Sequence, residues 1–240
     1  MSSPSVPFET APEGMNAVTQ LILDRRSVRE AFTDRQVPDQ VLDEIVRCGL
    51  AAPSSKNARP WRLHVVSDQQ VLQELAAAAA TAEGADSYVP RDPRTGLIRT
   101  DWPSSVVESA AVLASVPTGI FIENLGEFSF GRSTLASVPR ENLAGSLIGY
   151  TFEILGIGTA VMSMWLAANS LGVQAAFIGD ICVAETAIKA RLGITQDLVG
   201  VLALGYSELP APETRVRYKI DDERRVVWHR RPSERSDASR

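Results

Sequence analysis

Sulfur and imidazole are scarce in this chain of 240 residues, which has two cysteines, Cys48 and Cys182, and two histidines, His64 and His229. Two thiols far apart in apolar surroundings make no disulfide framework, and the pattern predicts inert packed thiols in a reducing compartment. With no cysteine pair at ligand spacing, nothing supports a structural zinc site. Positive charge is not in excess either. Lys and Arg number 24 against 29 Asp and Glu, a net charge of −5. That balance argues against a nucleic-acid binder and makes any arginine cluster a local anion site. No uninterrupted apolar run reaches the roughly 18 residues of a membrane span, and the Met1-Ser2-Ser3-Pro4 start lacks a basic-then-apolar signal pattern. These absences predict a soluble, cytoplasmic protein without internal repeats or a linker between two cores.

Hydrophobic residues at 45% and charged residues at 22% are ordinary for a globular domain. Residues 1–14 read as a flexible arm, 15–230 as one domain and 231–240 as a disordered polar tail. Apolar residues at helical spacing predict a helix from Met15 that leads into Arg25, and a second from about Pro38 to Leu50. A strand follows over Arg62 to Ser67. Ser67 then opens an alanine-rich helix to Ala82, with Gln70 completing a capping box. Residues 83–105, broken by Gly and Pro, read as a mobile cover over a site. The remaining expectations are a short helix over Ser105 to Ala114 and a strand over Thr118 to Glu123. A loop from about Asn124 to Pro139 precedes a long helix over Glu141 to Leu171. Then come a strand over Val173 to Ile178, a helix over Val183 to Leu192, a strand over Leu198 to Leu204, and an extended arm from Pro210. The order gives an α+β domain. The long helix is apolar nearly all round, so it must be buried on all sides; a partner subunit would supply that cover, the alternative being a central core helix of a monomer.

Two stretches carry chemistry. Arg25-Arg26-Ser27-Val28-Arg29 packs three guanidinium forks, each matched to phosphate oxygens, into five positions. If the segment is extended, Arg25, Ser27 and Arg29 share a face. Alone, such a run reads as a solvated cluster. Pro53-Ser54-Ser55-Lys56-Asn57-Ala58-Arg59-Pro60-Trp61 brackets hydroxyl, amide and cationic groups between prolines, suiting the polar edge of a heterocycle or a phosphate; as plain structure it is turn chemistry before a core tryptophan. Gly156-Ile157-Gly158 lacks the third glycine and preceding strand of a dinucleotide fingerprint. His64 reads as a packed or hydrogen-bonded strand residue.

Together these motifs resemble the nitroreductase family of flavoproteins. The Arg-Arg-Ser-x-Arg-x-Phe pattern is matched by Arg25 to Arg29, with Phe32 arriving later than is common. Pro-Ser-x-x-Asn-x-Gln-Pro-Trp is matched by Pro53 to Trp61, with Arg59 in place of Gln. Leu166 to Gly172 resembles the end of the family's long helix, Gln174 to Gly179 its flavin-flanking segment, and Val201 to Tyr206 its late strand. The resemblance implies a nitroreductase-like α+β fold with a mainly antiparallel sheet flanked by helices, and FMN at the interface of an intertwined homodimer. It implies that Arg25, Arg26 and Ser27 serve the phosphate and ribityl end and that Arg29 reaches the pyrimidine edge of the ring, where positive charge stabilises the reduced flavin. Pro53, Ser54, Ser55 and Asn57 would come from the other subunit, backbone at Phe177, Ile178 and Gly179 would flank the reactive centre, and Arg215 and Arg217 would close on the phosphate. NADH or NADPH would donate to flavin N5, and a nitroaromatic, quinone or similar electrophile would accept in a ping-pong cycle. Specialised relatives sharing these motifs include reductive dehalogenases, peptide-ring dehydrogenases and flavin-destroying synthases. A non-catalytic flavin-binding protein is a further alternative.

Overall fold

The structure is a computed structural model that describes residues 16–89, 91–92, 94–99, 104–209, 227 and 229. The chain divides into two compact units, residues 24–210 and a second made of 1–23 with 211–240. The arm, the tail, Trp102, Pro210 and Pro212 lie outside the described residues. In the terminal unit the described helix is α1, Ala17–Asp24, which runs into the larger unit at its last residue.

The larger unit is built on one antiparallel sheet of four strands in the order β1-β2-β4-β3. The strands are β1 (Trp61–Val66), β2 (Thr118–Asn124), β3 (Gln174–Ile178) and β4 (Asp197–Gly205). The two central strands are apolar on both faces because both are covered. Along β2, Ile120 and Ile122 face one layer and Phe121 the other; along β4, Leu202 and Leu204 alternate with Val201 and Ala203 in the same way. The first layer holds α2 (Asp39–Leu50) and α6 (Arg140–Ser170). The opposite layer holds α3 (Gln69–Ala80), α4 (Ser105–Ser115) and α7 (Glu185–Leu192). The α+β expectation holds.

Several local expectations need correction. Helix α3 is capped by Asp68, not Ser67: its carboxylate accepts from Gln70 N at 2.9 Å and Val71 N at 3.3 Å. A carboxylate is the stronger acceptor for a helix N-terminus, and the Ser67 hydroxyl meets Thr118 Oγ1 instead. The expected loop over 124–139 contains α5 (Arg132–Ser137). That helix starts where Asp197, on β4, accepts from Arg132 N at 2.7 Å, a cap supplied across the fold. In the 83–105 stretch, read as a loop, the described residues form local turns. A 3₁₀ turn spans Ala85–Tyr88, an isolated bridge joins Arg91 to Ile98, and Asp92 Oδ1 accepts from the amides of Arg94 and Thr95.

Helix α6, 31 residues long, is buried on one side only. Ile157, Ala160, Met164, Trp165 and Ala168 enter the core. Ile148, Phe152, Leu155 and Met162 stay exposed in the single chain. By length and composition alone α6 could cross a bilayer. It also carries Glu153, fully buried, whose carboxylate accepts from Asn124 Nδ2, Phe128 N, Ser129 N and Ser129 Oγ at 2.6 to 2.9 Å. Burial alone would raise the pKa of that carboxyl; the four hydrogen bonds prevail and hold it below its ordinary value.

A β-bulge interrupts β2 and β4 at Ile122 and Glu123. Gly200 sits there with φ +154°, and a Cβ on it would lie 2.6 Å from Ile178 O and 2.7 Å from Phe177 Cζ. Glycine is required at this point by both the backbone and the neighbours. Beside the bulge, Glu123 is also fully buried. Its carboxylate accepts from Thr195 N and Oγ1, Gln196 N and His64 Nε2 at 2.8 to 3.0 Å, with Arg62 Nη1 at 3.4 Å. His64 is therefore the hydrogen-bonded strand residue that its position predicts.

Candidate functional site

The Arg25–Arg29 segment is irregular rather than a strand, yet it is firmly placed. Val28 is 1% exposed, and its N–H donates to Ala175 O on β3 at 3.1 Å. Further on, Thr33 N donates to Tyr206 O at 2.8 Å, Glu208 N to Ala31 O at 2.9 Å, and Phe32 bridges Ser207. The late arrival of Phe32 has a structural correlate, because the chain turns at Ala31 with φ +55°. Arg25, Arg26 and Ser27 are half-buried and Arg29 is exposed.

Arg25 lies with its guanidinium carbon 4.6 Å from the centre of the Trp165 ring. Among the described residues no carboxylate or carbonyl accepts from its guanidinium, and the side chains of Ser27, Arg29 and Ser55 are likewise without a hydrogen-bond partner. An arginine withdrawn from water with every donor open lacks its usual compensation and suits an external anion.

The Pro53–Trp61 loop is held under backbone strain. Lys56, Asn57 and Arg59 have φ of +51°, +56° and +50°, a left-handed region that costs a non-glycine residue about 1 kcal/mol or more. Internal bonds hold it. Ser54 Oγ accepts from Arg59 N at 2.8 Å, Ala58 N donates to Ser55 O, and Leu125 N donates to Pro60 O. The Ser54 hydroxyl thus keeps its own proton free to donate. Arg59 Nε donates to Asn57 Oδ1 at 3.3 Å, so the residue that replaces the usual Gln orients the asparagine. Helix α6 supports the loop from below: Thr159 Oγ1 donates to Pro53 O at 2.7 Å, and a Cβ on Gly156 would sit 3.1 Å from Ser54 Cβ. Gly156 is therefore the point of close approach between helix and loop, whereas Gly158 faces open space.

Of the third group, Phe177 is half-buried, Ile178 buried and Gly179 exposed at the end of β3. Arg215 and Arg217 lie outside the described residues. Sequence reasoning missed Trp165, which helical periodicity marks only as core; in the loop, Lys56 Nζ stands 5.9 Å from the ring centre of Phe128. Cys182 is free, and burial pushes its thiol up to about 11, so it is protonated and inert at neutral pH.

An antiparallel sheet between two helical layers, a long small-residue helix and two polar motifs seated on it define an α+β protein of the nitroreductase fold. The Nitroreductase family model matches residues 22–206, and the chain belongs to that family of oxidoreductases. It is 24% identical over 230 residues to nitroreductase NfnB of Mycolicibacterium smegmatis, covering 90% of this chain and 94% of that one. A 102-residue stretch is 35% identical to an iodotyrosine deiodinase of Haliscomenobacter hydrossis, covering 40% of this chain and 45% of the deiodinase. Relatives matched at 34 to 35% identity are thus spanned over less than half of their length. Among solved structures, the NADPH:FMN oxidoreductase of Vibrio harveyi complexed with NAD+ superposes with a TM-score of 0.61 at 18% identity, covering 90% of this chain and 79% of that one.

Proposed function

We propose that this protein is an FMN-dependent NAD(P)H oxidoreductase that works as a homodimer with shared sites and reduces a nitroaromatic, quinone or similar electrophile. The observation that carries the reading is Arg25, half-buried on an aromatic face with its fork unengaged among the described residues, at the head of a segment in which the side chains of Ser27 and Arg29 are also open. Those residues fit a flavin phosphate and ribityl chain. The similarity to the NADPH:FMN oxidoreductase of Vibrio harveyi complexed with NAD+ adds support for FMN and a nicotinamide donor.

Bound FMN would supply two-electron chemistry between the nicotinamide and the acceptor in a ping-pong cycle. The protein's part is to bind and tune. Arg25, Arg26 and Ser27 would hold the phosphate and ribityl end, the part that the family resemblance also gives to Arg215 and Arg217. Arg29 places positive charge at the pyrimidine edge. Ser54, Ser55 and Asn57 present donors from a rigid loop whose shape is fixed before binding.

The two sides of α6 support the dimer. Gly156, under Ser54, and Trp165, under Arg25, are separated by about 13 Å along the axis and about half a turn around it. One chain therefore presents its two motifs in opposite directions, and a second chain brings a Pro53–Trp61 loop to each Arg25 segment. The exposed residues Ile148, Phe152, Leu155 and Met162 recur at alternating spacings of four and three with Thr159 between them, the seam of a helix–helix contact.

Purified protein should be yellow or bind added FMN stoichiometrically. Anaerobic NADH or NADPH should bleach the flavin, and nitroaromatics or quinones should restore its colour. A colourless protein that ignores FMN at saturation rules the reading out. Sedimentation should give a dimer, and a monomer that keeps FMN would remove the shared site. The deiodinase match favours reductive dehalogenation as a second reading. Flavin that nicotinamides leave oxidised, but that dithionite reduces and a halotyrosine then reoxidises with halide release, selects it.

A further inference from the structure

We infer that Trp165 is a positioning residue for the anionic end of the cofactor, acting through Arg25; the inference rests on the flavin reading above. Three observations meet at this residue. Its ring carries the Arg25 guanidinium 4.6 Å above its centre. It is 6% exposed, packed among the residues that face α6 from the sheet, including Ala175 and Leu204. Among the described residues, its buried Nε1–H has no hydrogen-bond partner.

A buried indole normally finds an acceptor, and leaving the N–H bare is unfavourable. A leucine would fill helix space here without that penalty. What tryptophan adds is a flat, electron-rich surface the size of a guanidinium, and the structure uses that surface. Arg25 has no described acceptor to fix the rotation of its long side chain, so the ring is what restricts it. A stacked guanidinium keeps its in-plane N–H groups free, and these are the groups that grip phosphate oxygens two at a time. Ala175 connects both ends of this arrangement, since its carbonyl anchors Val28 while its side chain packs in the same cluster as Trp165. Ring, arginine and backbone anchor form one unit.

The test compares FMN with riboflavin, which shares the ring and ribityl chain but lacks the phosphate. Apoprotein is titrated by flavin fluorescence for wild type, Trp165→Phe, Trp165→Leu, Arg25→Ala and the double variant Arg25→Ala with Trp165→Leu. Trp165→Leu should weaken FMN about 5- to 30-fold, the range of a partly desolvated cation–π contact, while changing riboflavin affinity less than about twofold. Trp165→Phe, which keeps a smaller aromatic face, should fall between. In the Arg25→Ala background, Trp165→Leu should have no further effect on FMN. Equal losses for FMN and riboflavin, or an undiminished loss in the Arg25→Ala background, would show a merely structural tryptophan and overturn the inference. Thermal unfolding of each apoprotein identifies a variant that fails to fold, and Trp165→Phe then carries the comparison. Wild type that binds neither flavin removes the flavin reading itself, whereas wild type that binds both equally well removes only the role assigned to Trp165.

Discussion

Replacing Glu123 by glutamine should make the protein less stable at neutral pH and nearly harmless to it in acid. Burial raises the pKa of this carboxyl, but hydrogen bonds from His64, Gln196 and Thr195 outweigh that effect and lower it from 4.5 to about 2. The folded pKa lies below the unfolded one. The ionised carboxylate therefore contributes stability that is complete above pH 4.5 and is lost as pH falls through 2. The shift corresponds to about 3 kcal/mol at pH 7 and about 1 kcal/mol at pH 3. Because Glu123 is fully buried, solvent screening takes little from this figure, whereas the Arg62 partner, with its side chain 55% exposed, adds little to it. Glutamine matches the size and neutrality of the protonated acid. The gap between wild type and Glu123→Gln should accordingly be about 3 kcal/mol at pH 7, narrowing by about 2 kcal/mol by pH 3, with nearly all of the change below pH 5. Urea unfolding at pH 7, 5, 4 and 3 measures it. A gap that stays constant across that range would mean that the carboxylate is not held ionised by the turn at Thr195 and Gln196.

Glu153→Ala should cost about 3 to 5 kcal/mol by leaving four donors without their acceptor, and the amides of Phe128 and Ser129 should lose protection in hydrogen exchange. Gly200→Ala should lower stability by more than about 2 kcal/mol in a thermal melt, since its methyl would meet Ile178 O at 2.6 Å. Arg29→Ala should shift the flavin midpoint potential negative by about 20 to 40 mV, the equivalent of about 1 to 2 kcal/mol for a two-electron couple. FMN affinity should change less than it does in Arg25→Ala, and an anaerobic redox titration separates the two effects.

What was legible in the chain follows from the range of the forces involved. The strands over Thr118 and Leu198 announced themselves because a strand covered on both faces is apolar throughout, and each boundary lay within about one residue of the observed one. Helix α5 was invisible because its cap is Asp197, far away in sequence. The Ser67 capping box misled because Asp68, one residue on, offered a better acceptor. The two motifs of the site were readable as residue types, but their opposite placement on α6 depends on which side of the helix each segment meets. Trp165 was hidden for a related reason: periodicity marks a core aromatic without revealing that an arginine from another segment lies on it. The apolar surface of α6 was recognised, while its division into a packed side and an exposed stripe appears only once α2 and the sheet are in place.

The short arch from Val28 to Thr33 has a thermodynamic consequence for the ligand. It is tied down at both feet, to Ala175 O and to Tyr206 O, with the turn at Ala31 between them. Arg29 stands on this arch, so its side chain is free in solvent while its backbone has already lost most of its freedom. Ordering a loose loop on binding would cost about 1 to 2 kcal/mol for each residue fixed. Here that entropy is surrendered when the chain folds, and a ligand meeting Arg29 has only side-chain rotamers left to settle.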